Sequence, residues 1–297
     1  MPLGASRLNF LAKGAAVEEA GEPGLAAIDP NASAWVGAIN GVSTKPGSSG
    51  DTLTVSLWVK DSNTGTNHVC FTLIEQGSGY AGGSGILDDF LSVEYAGGRF
   101  RIISSQNVTG STGDFSFDYL YGTYNAGGAG TFSTGGWNHF VFSCNFSGSA
   151  LSKCYINGQS ASSVKSTNGG RESTSVDPAR FNMYDAVMIG TQWNGAEGPT
   201  DGLAQVFIDN NYYDLDTAAT LAKFVRYDSN DSGGAYYAVD MGDEGWASGL
   251  TRPLIFHNGG TSDFATKGGN TGSYDYTNTF NNSGSASDIA TSSGPQF

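Results

Sequence analysis

The first clear pattern along the chain is an alternation of apolar and polar positions with period two. In Asp51-Thr52-Leu53-Thr54-Val55-Ser56-Leu57-Trp58-Val59-Lys60 the residues Leu53, Val55, Leu57 and Val59 fall on one side and Thr54, Ser56 and Trp58 on the other. Successive side chains of an extended chain point to opposite faces, so this spacing predicts a half-buried strand. His68–Ile74 reads as a second strand, ended by Gln76-Gly77-Ser78-Gly79. Leu91–Tyr95 and Arg99–Ile103, joined through Ala96-Gly97-Gly98, predict a hairpin with a glycine turn. Asp114–Tyr121 alternates as well and sets Phe115, Phe117 and Tyr119 on one side.

The alternation is strongest in Trp137–Asn145 and Lys153–Gln159, separated by a Gly/Ser turn. Folded about Ser149, these two strands put Phe140, Phe142 and Cys144 on the face of Cys154 and Ile156. Cys144 and Cys154 would then lie opposite each other, which leaves two options, a disulfide or a pair of buried thiols. Ala186–Gly190 and Asp201–Asp209 continue the series, and Thr217–Phe224, capped by Asp216 or Thr217, is the one good helix signal. Short strands with so little helix predict an all-β, two-sheet antiparallel sandwich.

Composition changes this picture in two places. Glycine contributes 44 of the 297 residues without a fixed period, which suits many tight turns. Aromatics at 12% supply enough large side chains for a core. The flanks differ from the middle. Residues 1–34 read as an N-terminal arm whose Leu3, Leu8, Phe10 and Leu11 are candidates for docking onto another subunit. Residues 35–250 form the sandwich, and residues 251–297 a Gly/Ser/Asn-rich C-terminal extension. A net charge of −14 opposes binding to phosphate backbones, so nucleic acid is not an expected partner. Apolar runs are too short to insert in a membrane, and Arg7, Asn9 and Lys13 interrupt any secretory signal. Three cysteines without a CxxC pair suit neither a disulfide framework nor a zinc site.

Gly136-Trp137-Asn138-His139-Phe140-Val141-Phe142, followed by Cys154-Tyr155-Ile156-Asn157-Gly158, resembles the W-H-H-V … L-Y-V-D-G hairpin of laminin-G-like and pentraxin-like domains of the concanavalin A-like superfamily. Ile189-Gly190 and the Gly202–Ile208 strand with its following helix resemble later motifs of that family, so the match runs in order over roughly residues 50–260. The resemblance implies a jelly-roll sandwich, a superfold that hosts lectins, hydrolases and adhesion modules alike. The segment Arg252–Phe264 and the opening Pro2-Leu3-Gly4-Ala5-Ser6-Arg7-Leu8 resemble parts of virion structural proteins of marine tailed phages. That second resemblance implies a capsid decoration or auxiliary protein in the virion, assembled in the host cytoplasm. Its partners would be the major capsid protein or other virion proteins, together with copies of itself.

Candidate chemistry is sparse. The E-x-D-x-x-E strand motif of hydrolases on this fold is missing, Glu94 is a lone strand carboxylate, and Asp88-Asp89 and Asp243-Glu244 read as solvated loop charges. His68, His139 and His257 are the only histidines, and no nucleophile elbow accompanies them. The expectation is therefore a protein without catalytic residues and without a resident cofactor. Related domains hold Ca²⁺ through rim oxygens. The resemblance thus makes calcium the one metal to consider, at Asp209-Asn210-Asn211 or Asp228-Ser229-Asn230-Asp231, with no ligand set assigned. Aromatics beside Asn or Asp are candidates for binding host-surface glycans: Trp193, Asn194, Tyr212, Tyr213, Tyr236 and Tyr237. Beside decoration, the open alternatives are a tail or fibre component, a lectin module and, least favoured by these residues, a glycan hydrolase.

Overall fold

The computed structural model describes residues 26–30, 35–38, 52–60, 67–74, 90–96, 99–106, 115–121, 136–145, 151–161, 163–165, 186–189, 198–199, 202–209, 211–228, 235–242, 245–251, 253, 255–257 and 289–293. Among these residues lie eighteen strands and one helical turn, numbered below in chain order. One sheet runs in the order β10 (Gln159–Ser160), β9 (Leu151–Ile156), β8 (Trp137–Asn145), β3 (Thr52–Lys60), β14 (Gly202–Asp209), β1 (Ala26–Pro30), β18 (Ile289–Ser293). Strand β17 (Ile255–His257) also pairs with β14. The second sheet runs β11 (Ser163–Lys165), β7 (Phe115–Tyr121), β6 (Arg99–Gln106), β5 (Phe90–Ala96), β4 (Asn67–Ile74), β12 (Ala186–Ile189), β2 (Trp35–Ala38). The two-residue β13 (Gly198–Pro199) joins β4 in parallel, whereas the other pairings are antiparallel. The sheets face each other where Phe100 of β6 stacks on Phe140 of β8 with ring centroids 4.1 Å apart. The all-β sandwich expected from the alternation is the observed architecture.

Three strands lie in the segments that flank the predicted sandwich. β1 belongs to residues 1–34, and β17 and β18 belong to residues 251–297. β1 and β18 pair with each other over five residues, from Ala26↔Ser293 to Pro30↔Ile289, and β1 meets β14 at Ile28↔Leu203.

Strand β3 differs from its prediction. It is buried on both faces, from Leu53 through Val59, not on one. The reason is a third layer. Thr54, Ser56 and Trp58 stand in register with Ser143, Val141 and His139 of β8 and with Asp209, Phe207 and Ala204 of β14. Over this face lie residues 211–224, a two-stranded sheet of β15 (Val225–Asp228) and β16 (Ala235–Ala238), and residues 241–242 and 245–250, while β17 continues the sheet beside β14. Val141 and Phe207 pack there with Leu215, Phe224, Met241, Leu250 and Phe256. A second cluster joins Trp58 and Ala204 to Val225 and Ala238. Fully burying one such large apolar side chain contributes about 1.5–3 kcal/mol. That gain holds the cap on the sheet and takes the intervening hydroxyls with it.

The β8–β9 hairpin forms, but one residue away from the predicted centre. Phe142 faces Cys154 and Cys144 faces Ser152, so the two cysteines are not opposite each other. Cys70, Cys144 and Cys154 are all buried thiols, and no disulfide joins them. Burial pushes the thiols of Cys144 and Cys154 up, which keeps them protonated and inert. The predicted helix shortens to one turn, α1 (Ala218–Leu221), with Thr217 as N-cap. Its cap hydroxyl donates to Asp214 Oδ2 at 3.2 Å instead of closing on the helix. Past α1 the chain turns so that Phe224 enters the apolar cluster.

Candidate functional site

The cap and the sheet edge border an open cleft of about 990 Å³. One wall is α1 and its exit, through Ala218, Leu221 and Ala222. The other is the β15–β16 hairpin, whose register sets Val225 against Ala238 and Tyr227 against Tyr236. These four residues share one face by the period-two rule. The rings of Tyr227 and Tyr236 lie 4.9 Å apart at their centroids. Tyr227 is 55% exposed, an unusual place for a large aromatic side chain. Asp240 closes the rim, and its Oδ1 accepts the Gly242 N–H at 2.8 Å, which fixes the carboxylate.

Two backbone irregularities set the cleft's shape. At the turn after β9, Asn157 and Gly158 take φ of 49° and 68°, the left-handed pair of a tight hairpin turn. Tyr236 lies directly on Gly158, where an added Cβ would come within 2.0 Å of its Cε1. Asn157 holds that turn to β8: its Oδ1 accepts the His139 N–H at 2.8 Å and its Nδ2 donates to Asn138 Oδ1 at 2.9 Å. On β14 the register against β3 slips between Ala204 and Phe207, and Gln205 takes φ 45° at this bulge. The bulge sends the buried Gln205 amide into the cap, where Nε2 donates to the Val239 carbonyl at 2.7 Å.

A polar network fastens the 211–217 loop over the end of the sheet. Asp209 Oδ2 accepts from Asn211 Nδ2 at 3.0 Å, Tyr213 Oη at 2.8 Å and Thr251 Oγ1 at 3.0 Å. Thr54 Oγ1 donates to the Asn211 carbonyl at 2.7 Å, so its bond with Ser143 Oγ at 2.7 Å takes the Ser143 proton. Ser143 Oγ in turn accepts the Tyr213 N–H at 2.9 Å. Farther along, Asp216 accepts from Lys153 and from Tyr155 Oη, and these two bonds, Lys153 first, hold its carboxyl below the usual carboxylate range.

These contacts sort the residues singled out by the sequence. Tyr236 lines the cleft, while Tyr237 stands behind it under the Arg226 guanidinium, 5.3 Å from the ring centroid. Tyr213 ties Asp209 to the cap and packs edge-on against Phe207 and Phe224, and burial before all else pushes its hydroxyl pKa up. Tyr212 is half-buried, and its pKa is raised by burial and then by Asp214. Trp193, Asn194, Leu3, Leu8, Phe10 and Leu11 lie outside the described residues, as do Asp88, Asp89, Asp243 and Glu244. At the first calcium candidate, three protein donors converge on Asp209 Oδ2. Of the second calcium candidate only Asp228 is described, and among the described residues no group of three His, Cys, Asp or Glu is placed to hold a metal ion.

Two features escaped the sequence reading, the place of Tyr227 and the burial of Glu94. Tyr227 sits between Arg226 and Asp228, so nothing local marked it, and only the hairpin register brings it to Tyr236. Glu94 is fully buried on β5 and accepts from Ser92 Oγ at 3.0 Å. His139 Nε2 lies 2.9 Å from Ser56 Oγ, the spacing of an activated nucleophile, but the cap closes both side chains off from solvent.

No protein-family profile matches the sequence, and no curated protein matches it. Among solved structures, the chain is similar to the CBM40 of the Ruminococcus gnavus IT-sialidase bound to α2,3-sialyllactose, at 12% identity and a TM-score of 0.36, over 57% of this chain and 82% of that one. The leech intramolecular trans-sialidase is similar at 11% identity and a TM-score of 0.41, over 70% of this chain and 29% of that one. Mouse laminin α1 chain domains LG4-5 are similar at 11% identity and a TM-score of 0.38, over 73% of this chain and 48% of that one. The all-β assignment stands on the strand order and the facing rings of Phe100 and Phe140, not on these likenesses.

Proposed function

We propose that the protein binds carbohydrate without turning it over, in the cleft between α1 and the β15–β16 hairpin. The observation that carries this reading is Tyr227, more than half exposed and paired with Tyr236 along an open cleft. A sugar ring has an apolar C–H face and a polar rim. An aromatic platform beside a fixed carboxylate offers a surface to each. The walls are set before any ligand arrives, since Gly158 seats Tyr236 and Gln205 holds Val239, which lowers the ordering cost of binding.

On a glycan array, the full chain should bind a defined set of glycans. Tyr227→Ala should weaken the best of them at least tenfold, about 1.4 kcal/mol, with the far-UV spectrum unchanged. Gly158→Ala, which pushes Tyr236 off its seat, should weaken the same glycans. Binding to no glycan at all would sink the reading, and so would Tyr227→Ala binding as tightly as the parent.

A second reading is attachment to a phage particle through the terminal segments, as the sequence resemblance implies. It is supported by the pairing of Ala26 with Ser293, which brings the chain into the sheet and out of it at the same end. Segments before residue 26 and after residue 293 therefore start side by side and could engage one neighbour. Mass spectrometry of purified particles should find the chain in many copies. Its absence from the virion would end this reading and leave the glycan one intact.

A further inference from the structure

The cleft offers more carbon than a plain hexose can use. Its walls are Ala218, Leu221 and Ala222 on one side and Val225, Ala238 and Val239 on the other. Its polar side chains are Arg226, Asp240 and the hydroxyls of Tyr227 and Tyr236. A hexose carries hydroxyls around its whole edge, and those turned toward the alanine wall would lose water without gaining a partner. A sugar with a methyl group on one ring substituent avoids that cost. Its C–H face lies on Tyr227, its hydroxyl edge meets Asp240, and its methyl group enters the space beside Ala218 and Ala222.

Resting on the carbohydrate reading above, we infer that the cleft selects a methyl-bearing sugar unit, with an acetamido or a 6-deoxy substituent. Burying one methyl group corresponds to roughly a fourfold gain in affinity. Two pairs test that substituent, each titrated by ligand-observed NMR into the full chain: N-acetylglucosamine against glucose, where an acetamido group replaces a hydroxyl, and 6-deoxyglucose against glucose, where a methyl replaces the hydroxymethyl group. At least one methyl-bearing member should bind roughly fourfold or more tightly than glucose. Preference in the acetamido pair alone assigns the wall to an N-acetylhexosamine, and preference in the deoxy pair alone assigns it to a 6-deoxysugar.

Ala218 and Ala222 are both exposed, so A218S/A222S leaves the core untouched. In that variant the preference should fall toward one, whatever the change in the affinity for glucose itself. Equal affinity within both pairs would overturn the inference and leave the carbohydrate reading standing, as would a preference that survives in A218S/A222S. Failure of all three sugars and of every arrayed glycan would overturn both.

Discussion

Phe207→Ala is expected to cost about 3–5 kcal/mol of stability, the range for truncating a fully buried phenylalanine. For a domain of this size that corresponds to a fall in Tm of roughly 10 °C, at about 2–4 °C per kcal/mol. Phe207 has no exposed surface and stands at the centre of the sheet–cap interface. Its ring meets Phe224 edge-on at 5.5 Å and Tyr213 at 6.4 Å. On the backbone it lies between Ser56 of β3 and Phe256 of β17. The loss should therefore loosen one layer before the rest. Amide exchange should rise first in residues 211–228 and 235–257, while β3 and β8 stay protected. Phe140→Ala, which removes the stack on Phe100, should cost a similar amount but release the contact between the two large sheets instead. A loss under about 1 kcal/mol for Phe207→Ala, or uniform exchange, would show that the cap is not docked on this face.

That cap is also where the sequence was hardest to read. β3, the β5–β6 hairpin and the β8–β9 hairpin were legible because their apolar residues repeat every second position within one short stretch. The register of the β5–β6 hairpin agrees with its reading, with Ala96 paired to Arg99. The cap has no such period. Phe207, Leu215, Phe224, Met241, Leu250 and Phe256 are drawn from fifty residues of turn-rich chain, and each is unremarkable among its neighbours. Thr54 and Ser56 were read as facing water because their side chains are polar, yet hydroxyls bury readily when their bonds are met, as theirs are by Asn211, Ser143 and His139. Trp58 on that same side was the signal of a covered face. The site shows the same division. Tyr236 stood out beside Tyr237, whereas Tyr227 became a candidate only through a pairing register that no local pattern encodes.

Acid should destabilise the protein through His139 well before most of its carboxylates protonate. The ring is buried against Trp58, with centroids 4.9 Å apart, and burial lowers its pKa from 6.5 to about 3. Nε2 meets Ser56 Oγ at 2.9 Å, while Nδ1 is buried with no partner among the described residues. A proton on this ring would thus put an unpaired charge between sheet and cap. The unfolded chain takes up that proton near pH 6.5 and the folded one only near pH 3, so the unfolded state binds more protons throughout the window. Stability is therefore complete above about pH 6.5 and falls on acidification, by about 1.4 kcal/mol for each pH unit inside the window. By pH 5 the loss is about 2 kcal/mol relative to pH 8. Urea denaturation of the parent and of His139→Gln at pH 8, 6.5 and 5 separates this contribution from that of the carboxylates, which both proteins share. The parent should lose about 2 kcal/mol more than the variant between pH 8 and pH 5. Parallel losses would mean that the folded protein admits a proton at His139, and with it water beneath the cap.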